Sequence, residues 1–364
     1  MARKVFIAAT GQDCGKTTTS LSLLHLARQK YRRVGFIKPV GPKPSRYNDF
    51  WVDKDAALMA KVFDLEDDIR LMSPVVVQPG DTRKVLDGVV TRDQLEQQLV
   101  AACEELDKRC DFLIIEGAGH SGVGSVFGLS NARVAKLLDA PVLMVSGGGI
   151  GHVIDDVSMN LALYKMEKAD VRIVMPNKLI AEKREQTLRY MSLAFANQDF
   201  IVHGGFNYSP ILAGPTLQHI ANLFDVPLRA TQEQARQIIR QTQLAAASTE
   251  KVVEILKEST LLLVNSSRDE LLVMLSTLHH IPEYREKLSG VLISGANPVA
   301  KLTQQVLDDS ELPMMRTEQL TSSSFKMVTR DVSKITAEDV EKINMVKKLA
   351  EQDLDFDLID SKLD

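Results

Sequence analysis

The chain predicts a doubly wound α/β fold, a parallel sheet with helices on both faces, followed by a second and smaller α/β domain. Two observations carry this expectation. Over the first two-thirds, short apolar runs at residues 5–9, 34–38, 112–116, 142–146, 171–175 and 201–204 alternate with helical patterns. Runs that are apolar throughout and separated by helices belong to strands buried on both faces, which is the mark of a parallel sheet. The second observation is the length of 364 residues, long for one domain, with an apolar share of 45% that supplies material for two cores.

The elements follow in order. The first strand runs into Thr10-Gly11-Gln12-Asp13-Cys14-Gly15-Lys16-Thr17-Thr18, and a helical stretch covers 17–29. Strand, glycine-containing loop and helix N-terminus in that order form a phosphate grip, because loop and helix N–H groups surround the anion. Gly11, Asp13, Cys14, Gly15, Lys16, Thr17 and Thr18 are the expected nucleotide-binding set. Lys16 reaches the β- and γ-phosphates and the Thr17 hydroxyl takes Mg²⁺. The first glycine of G-x-x-x-x-G-K-[ST] falls on Thr10, so the P-loop spacing departs from the common form. Cys14 reads as a small filler, although a helix N-terminus lowers a thiol pKa.

The strand over 34–38 ends in Lys38-Pro39-Val40, which aims an ammonium at phosphate or carboxylate, or else leaves it solvated at an edge. The helix over 55–63 opens with Asp53 and Asp55, read either as helix caps or as a second carboxylate for a metal. A helix over 93–108 leads to the strand 112–116. That strand closes on Glu116, then Gly117-Ala118-Gly119-His120. A carboxylate ending an apolar strand is expensive unless it is paired, and Mg²⁺ would pair it. After a helix over 131–138, the strand 142–146 enters Gly147-Gly148-Gly149-Ile150-Gly151, where glycines let backbone approach a ligand. A helix over 154–166 and the strand 171–175 bring the chain to Pro176-Asn177-Lys178. Asn177 is a candidate for an adenine edge and also an ordinary turn residue. A helix over 183–195 and the strand 201–204 complete the alternation.

A helix over 215–224 and a polar helical stretch over 232–243 follow, with the domain boundary expected near 228. The second alternation runs as strand 261–265, helix 268–278, strand 290–294, helix 299–307 and strand 312–316. A last helix over 337–349 precedes the acidic tail 351–364, expected to be a solvated or swapped end without chemistry. The expected division is 1–228, 229–350 and the tail.

Composition narrows the function. A net charge of −4 offers no basic field for nucleic acid or an anionic membrane. No apolar run approaches the roughly 20 residues of a spanning helix. The chain starts on a core strand without a signal peptide, and Cys14, Cys103 and Cys110 lack ligand spacing, so a cytoplasmic protein with reduced thiols is expected. The seven histidines show no metal-binding spacing, and no Ser/His/Asp or Cys/His set is apparent.

Taken together, Gly15-Lys16-Thr17, Lys38 of Lys-Pro-Val, Asp55 of Asp-Ala-x-Leu, Glu116 of Glu-Gly-Ala-Gly and Asn177 of Asn-Lys resemble the dethiobiotin-synthetase type of P-loop domain, shared with cobyrinic acid a,c-diamide synthases. The resemblance implies ATP and Mg²⁺, with Thr17, Asp55 and Glu116 on the metal. It also implies Lys16 and Lys38 as catalytic residues that stabilise a transferred phosphoryl group while a carboxylate is activated. The chain departs from that family where Gln12 and Asp13 replace its Thr-Asp-Thr signature and where Pro42 stands in place of a substrate-binding serine. Over nearly its whole length the chain resembles the N-terminal regulatory half of long bacterial phosphate acetyltransferases, in which a small module named DRTGG follows the P-loop domain. Ser267-Arg268-Asp269, Ser294-Gly295-Ala296, Thr317 with Thr321, and Asp331-Val332-Ser333-Lys334-Ile335 match that module, although its literal motif is absent.

The resemblance implies an ATP/Mg²⁺-binding regulatory unit without acetyltransferase activity of its own, whose second domain serves assembly or senses a small-molecule effector. The alternative is an ATP-dependent ligase or amide synthase that takes a carboxylate substrate. Both imply a nucleotide partner and a homo-oligomer, with no nucleic acid and no membrane.

Overall fold

The structure, a computed structural model, describes residues 2–331 and 333–364. It divides into two compact units, the first made of residues 1–208 together with 335–364, the second of residues 209–334.

In the first unit, six parallel strands form the sheet: β1 (Arg3–Ala9), β2 (Val34–Ile37), β3 (Phe112–Glu116), β4 (Val142–Gly147), β5 (Val171–Asn177) and β6 (Ile201–Val202). Their order is β6-β5-β4-β1-β3-β2. β1 thus lies centrally between β3 and β4, and the chain's direction of travel across the sheet reverses there. In an open α/β sheet the crevice outside the carboxyl ends at such a reversal is where ligands bind. Register places Ile7 beside Glu116 and Gly147 beside Asn177, so these polar residues share the carboxyl edge. Helices α1 (Lys16–Lys30), α2 (Lys54–Phe63), α3 (Arg92–Arg109), α4 (Asn131–Leu137), α5 (Ile150–Met166) and α6 (Arg184–Ala194) belong to the same unit. Phe6, Leu113, Ile115, Val142, Met144 and Val174 make its buried core with Leu99, Leu106, Val157 and Tyr164 from helices.

The second unit holds a five-stranded sheet of β7 (Leu228–Arg229), β8 (Gln241–Leu244), β9 (Thr260–Asn265), β10 (Leu288–Ser294) and β11 (Met314–Thr317), in the order β7-β11-β10-β9-β8. Only β7 runs antiparallel to its neighbour. Its helices include α7 (Leu217–Phe224), α8 (Asp269–Leu278), α9 (Lys301–Asp308) and α10 (Thr321–Arg330). Buried Leu262, Val264, Leu271, Leu275, Val291 and Leu307 pack one face, and Leu217, Ile220, Phe224, Leu261, Leu263 and Leu292 the other.

Three expectations differ from the structure. The division falls after Tyr208, about twenty residues before the expected 228, because α7 buries Leu217, Ile220 and Phe224 against the second sheet. The polar stretch over 232–243 is not one helix. Thr231 and Gln234 close a capping box on a single turn, Gln232–Ala235, and β8 then pairs in parallel with β9. The acidic tail is not solvated. The chain returns to the first unit as α11 (Val340–Asp353) and α12 (Phe356–Ser361), and both pack on α1.

The reason lies in α1. Its sequence is apolar or small nearly all round, burying Leu21, Leu23, Leu24 and Leu26 together with Thr19, Ser20 and Ser22. A helix of that kind needs cover on both sides, and the sheet supplies only one. Phe356 stacks against Phe112 at 5.7 Å between ring centroids, and Phe112 meets Tyr31 at 5.0 Å. Asp360 collects Arg3 Nε at 2.8 Å, Lys30 Nζ at 2.8 Å and the Tyr31 hydroxyl at 2.9 Å. The acidic residues of the tail therefore answer basic groups on β1 and α1, while its apolar positions go inward.

Candidate functional site

The phosphate loop leaves β1 at Thr10, whose N–H donates to Val145 O at 3.0 Å. It enters α1 at Gly15, which caps the helix with φ +103°. A Cβ at Gly15 would lie 2.2 Å from Asn177 Nδ2, so glycine is demanded both by the backbone angle and by the neighbour. Asp13 also adopts a positive φ of 56°. Gly11 and Gly15 are half-buried, while Gln12 and Asp13 are exposed at the turn. Cys14 is buried, its Sγ 3.7 Å from Thr10 Oγ1 and 3.5 Å from Gln12 O, consistent with packing inside the loop.

Lys16 folds back over the loop, its Nζ donating to Gly11 O at 3.0 Å and Gly119 O at 2.9 Å. Burial, and then the charge of Lys38, lowers its pKa. Below it lies a buried ion-pair cluster. Lys38 Nζ is 2.8 Å from Asp55 Oδ2 and 2.7 Å from Glu116 Oε1, and it also donates to Gly117 O at 3.2 Å. Thr17 Oγ1 reaches the same two carboxylates, 3.5 Å from Asp55 Oδ1 and 3.3 Å from Glu116 Oε1. Thr18 is half-buried in the same first turn of α1.

The two halves of the cluster are pulled in different directions. Burial favours neutral groups, but the carboxylates outweigh it at Lys38 and hold its pKa up. Burial also works against Asp55, yet the Lys38 ammonium prevails and keeps that carboxyl below its usual range. At Glu116 burial wins and, with the Asp55 charge, lifts the pKa despite Lys38. The second Glu116 oxygen, Oε2, and the neighbouring Ser20 hydroxyl are both buried without a well-aligned hydrogen-bond partner among the described residues. One ammonium thus balances two buried carboxylates incompletely.

Geometry separates Asp53 from Asp55. Asp53 is the N-cap of α2, accepting from Asp55 N at 2.9 Å and Lys43 N at 3.0 Å. Burial, with the Asp55 charge, pushes its carboxyl up to about 6. Asp55 is the residue that faces Lys38 and Thr17.

Asn177, the candidate for an adenine edge, has its carboxamide engaged by the backbone. Its Nδ2 donates to Cys14 O at 2.9 Å and its Oδ1 accepts from Phe206 N at 2.8 Å, with the residue 3% exposed. Its carboxamide clasps the loop to β5 and to the segment after β6. His120 is exposed, and its ring Nδ1 accepts from Gly122 N at 3.2 Å.

Two further asparagines shape the site and were not anticipated. Asn131 donates to Ala118 O and His120 O, both at 2.6 Å, and accepts from Ala118 N. Asn160 donates to Thr10 O at 3.1 Å and accepts from Ser121 N at 2.9 Å. Each is a fully buried polar residue on a helix, which is the signal that marks them.

Thr17, Asp55 and Glu116 offer a hydroxyl and two carboxylates at one point, with a buried carboxylate oxygen still open. That oxygen-only set suits a hard cation completed by phosphate and water. Among the described residues, no three His, Cys, Asp or Glu side chains form a metal cluster by themselves. In the second unit, Arg268 donates to Ala245 O and Ala247 O, and Ser294 donates to Thr321. Gly295 has φ +120°. These residues of the expected DRTGG module sit at or beside carboxyl strand ends, and Val332 of its last segment lies outside the described residues. No helix among the described residues is long and apolar enough to cross a membrane.

Residues 3–212, more than half of the chain, match the model of AAA_26, an AAA domain. The phosphate acetyltransferase of Pseudomonas putida is 24% identical over 302 residues, covering 79% of this chain and 41% of that protein. The corresponding protein of Deinococcus radiodurans is 22% identical over 339 residues, 90% of this chain and 46% of its own length. The chain therefore spans less than half of these relatives. The ATP-dependent dethiobiotin synthetase of Methanocaldococcus jannaschii is 26% identical over 153 residues, 41% of this chain and 68% of that protein. Cobyrinic acid a,c-diamide synthase from Mycobacterium smegmatis, solved with ADP and magnesium, superposes with a TM-score of 0.37 and 17% identity over 54% of this chain and 82% of that one. With the strand, loop and helix of a phosphate grip at the centre of its first sheet, the chain is a P-loop NTPase of the AAA domain family AAA_26.

Proposed function

We propose that the first unit binds ATP with Mg²⁺ and that the protein acts as a nucleotide-dependent regulatory unit, like the N-terminal region of the phosphate acetyltransferases it resembles. The observation that carries this reading is the convergence of Thr17, Asp55 and Glu116, beside Lys16, at the carboxyl ends of β1 and β3, where the loop enters the start of α1. Lys16 would exchange Gly11 O and Gly119 O for phosphate oxygens. Thr17, Asp55 and Glu116 would hold Mg²⁺, which supplies charge neutralisation to the phosphates. Gly15 and Asn177 keep the loop in shape, and the second unit serves assembly or senses an effector.

The alternative reading, an ATP-dependent carboxylate-activating ligase with Lys16 and Lys38 as its catalytic cations, is favoured by the dethiobiotin synthetase relative. One experiment separates them: phosphate release measured with ATP and Mg²⁺ across a panel of small carboxylic acids and amines, beside sedimentation with and without ATP. Release stimulated by a carboxylate supports the ligase. Release that stays low across the panel, with a change in assembly on adding ATP, supports the regulator.

A further inference from the structure

Lys38 is placed where an approaching lysine of a phosphate site is not expected. Its ammonium is 3% exposed and is held between Asp55 and Glu116 at 2.8 and 2.7 Å. The same Glu116 Oε1 lies 3.3 Å from Thr17 Oγ1, and the other oxygen of Asp55 lies 3.5 Å from it. The carboxylates that suit a divalent cation are therefore already occupied by a monovalent one built into the chain. An ammonium and a divalent ion sharing these oxygens would repel strongly in a site this buried.

We infer that Lys38 is the resident cation of this site: it holds Asp55 and Glu116 in place while no metal is bound, and it must leave them before a divalent ion can be held there. The inference rests on reading the cleft as a nucleotide and metal site. Its consequence is an order of binding. A bare divalent ion competes poorly with Lys38, whereas one brought by a triphosphate has the phosphate oxygens to compensate. Lys38 thus makes metal binding conditional on nucleotide.

The test uses Mn²⁺ alone, without nucleotide, on the full chain, read by the electron paramagnetic resonance of free Mn²⁺ and by thermal unfolding. The wild-type protein is expected to bind Mn²⁺ only weakly and to show no rise in melting temperature. Lys38→Met keeps the length of the side chain and removes its charge, leaving two buried carboxylates uncompensated. It should melt lower than wild type, bind Mn²⁺ about tenfold or more tighter, and recover its melting temperature as Mn²⁺ is added. Recovery of folded Lys38→Met only in the presence of Mn²⁺ would support the inference equally.

Two results would overturn it: Mn²⁺ affinity in folded Lys38→Met equal to wild type, or tight binding of Mn²⁺ alone by the wild-type protein. The wild-type arm decides even where the variant does not fold with or without the metal. A titration of wild type with a nonhydrolysable ATP analogue without metal tests the nucleotide site separately. Absent analogue binding would count against that site without touching the metal comparison.

Discussion

Replacing Gly15 by alanine tests the joint between the phosphate loop and Asn177. Gly15 has φ +103°, where an L side chain costs about 1–2 kcal/mol. The new Cβ would stand 2.2 Å from Asn177 Nδ2, so the carboxamide must turn away. Turning breaks its donation to Cys14 O at 2.9 Å and its acceptance from Phe206 N at 2.8 Å, both in buried surroundings. With each of the two unmatched buried groups costing about 1–3 kcal/mol, Gly15→Ala should remove about 3–8 kcal/mol from the first unit. That is a large part of an ordinary domain's stability. The mechanism predicts strong coupling. In an Asn177→Ala background the collision partner and its hydrogen bonds are already gone, so Gly15→Ala should cost only its backbone share of about 1–2 kcal/mol. Urea unfolding of the four proteins, followed by the fluorescence of the chain's single tryptophan, Trp51 in the first unit, measures the cycle. Effects that add within about 0.5 kcal/mol would refute the reasoning.

Phe356→Ala tests the return of the tail. Phe356 is buried against Phe112, so the truncation should destabilise the first unit by about 3–5 kcal/mol in the same urea assay, whereas a solvated tail predicts a change within about 0.5 kcal/mol. In the second unit, His279 is buried with both ring nitrogens unpartnered among the described residues, and burial, then the charges of Arg285 and His280, lowers its pKa below 6.5. The folded state holds it neutral while the unfolded chain takes the proton. Its contribution is therefore fully present above pH 6.5 and is lost as the pH falls towards the lower folded value. Hydrogen exchange of β9 and β10 amides between pH 7.5 and 5 should show this loss in wild type and less of it in His279→Leu. Parallel profiles would exclude the account.

Much of this was legible in the chain for a definite reason. The strands of a doubly covered sheet are apolar throughout, so a charge at the end of one, such as Glu116, stands out. Lys38 is visible in the same way, since Pro39 follows it directly. What Lys38 does there is not visible, because its partners lie 17 and 78 residues away and only the folded sheet brings them together. Asp53 and Asp55 carry equal weight in sequence, and the difference between cap and ion pair is set by Lys43 and Lys38. Asn177 lies at the right strand end, but its carboxamide is consumed by the backbone of Cys14 and Phe206. The stretch 232–243 had polar residues without a clear helical stripe, and an edge strand accepts such a sequence. The tail misled because its acidic residues dominate, while Phe356, Ile359 and Leu363 are all buried.

The central claim is that the loop over residues 10–18 grips a nucleoside triphosphate. Calorimetry of ATP with Mg²⁺ against the full chain and against Lys16→Ala measures it most directly. Among the described residues Lys16 Nζ bonds two backbone carbonyls, Gly11 O and Gly119 O, so the variant should fold as wild type does. Losing a charged contact to phosphate should weaken ATP binding by about 1.5–3 kcal/mol, roughly tenfold to a hundredfold or more in affinity. Equal affinity in the two proteins, or no ATP binding by either, would contradict the account.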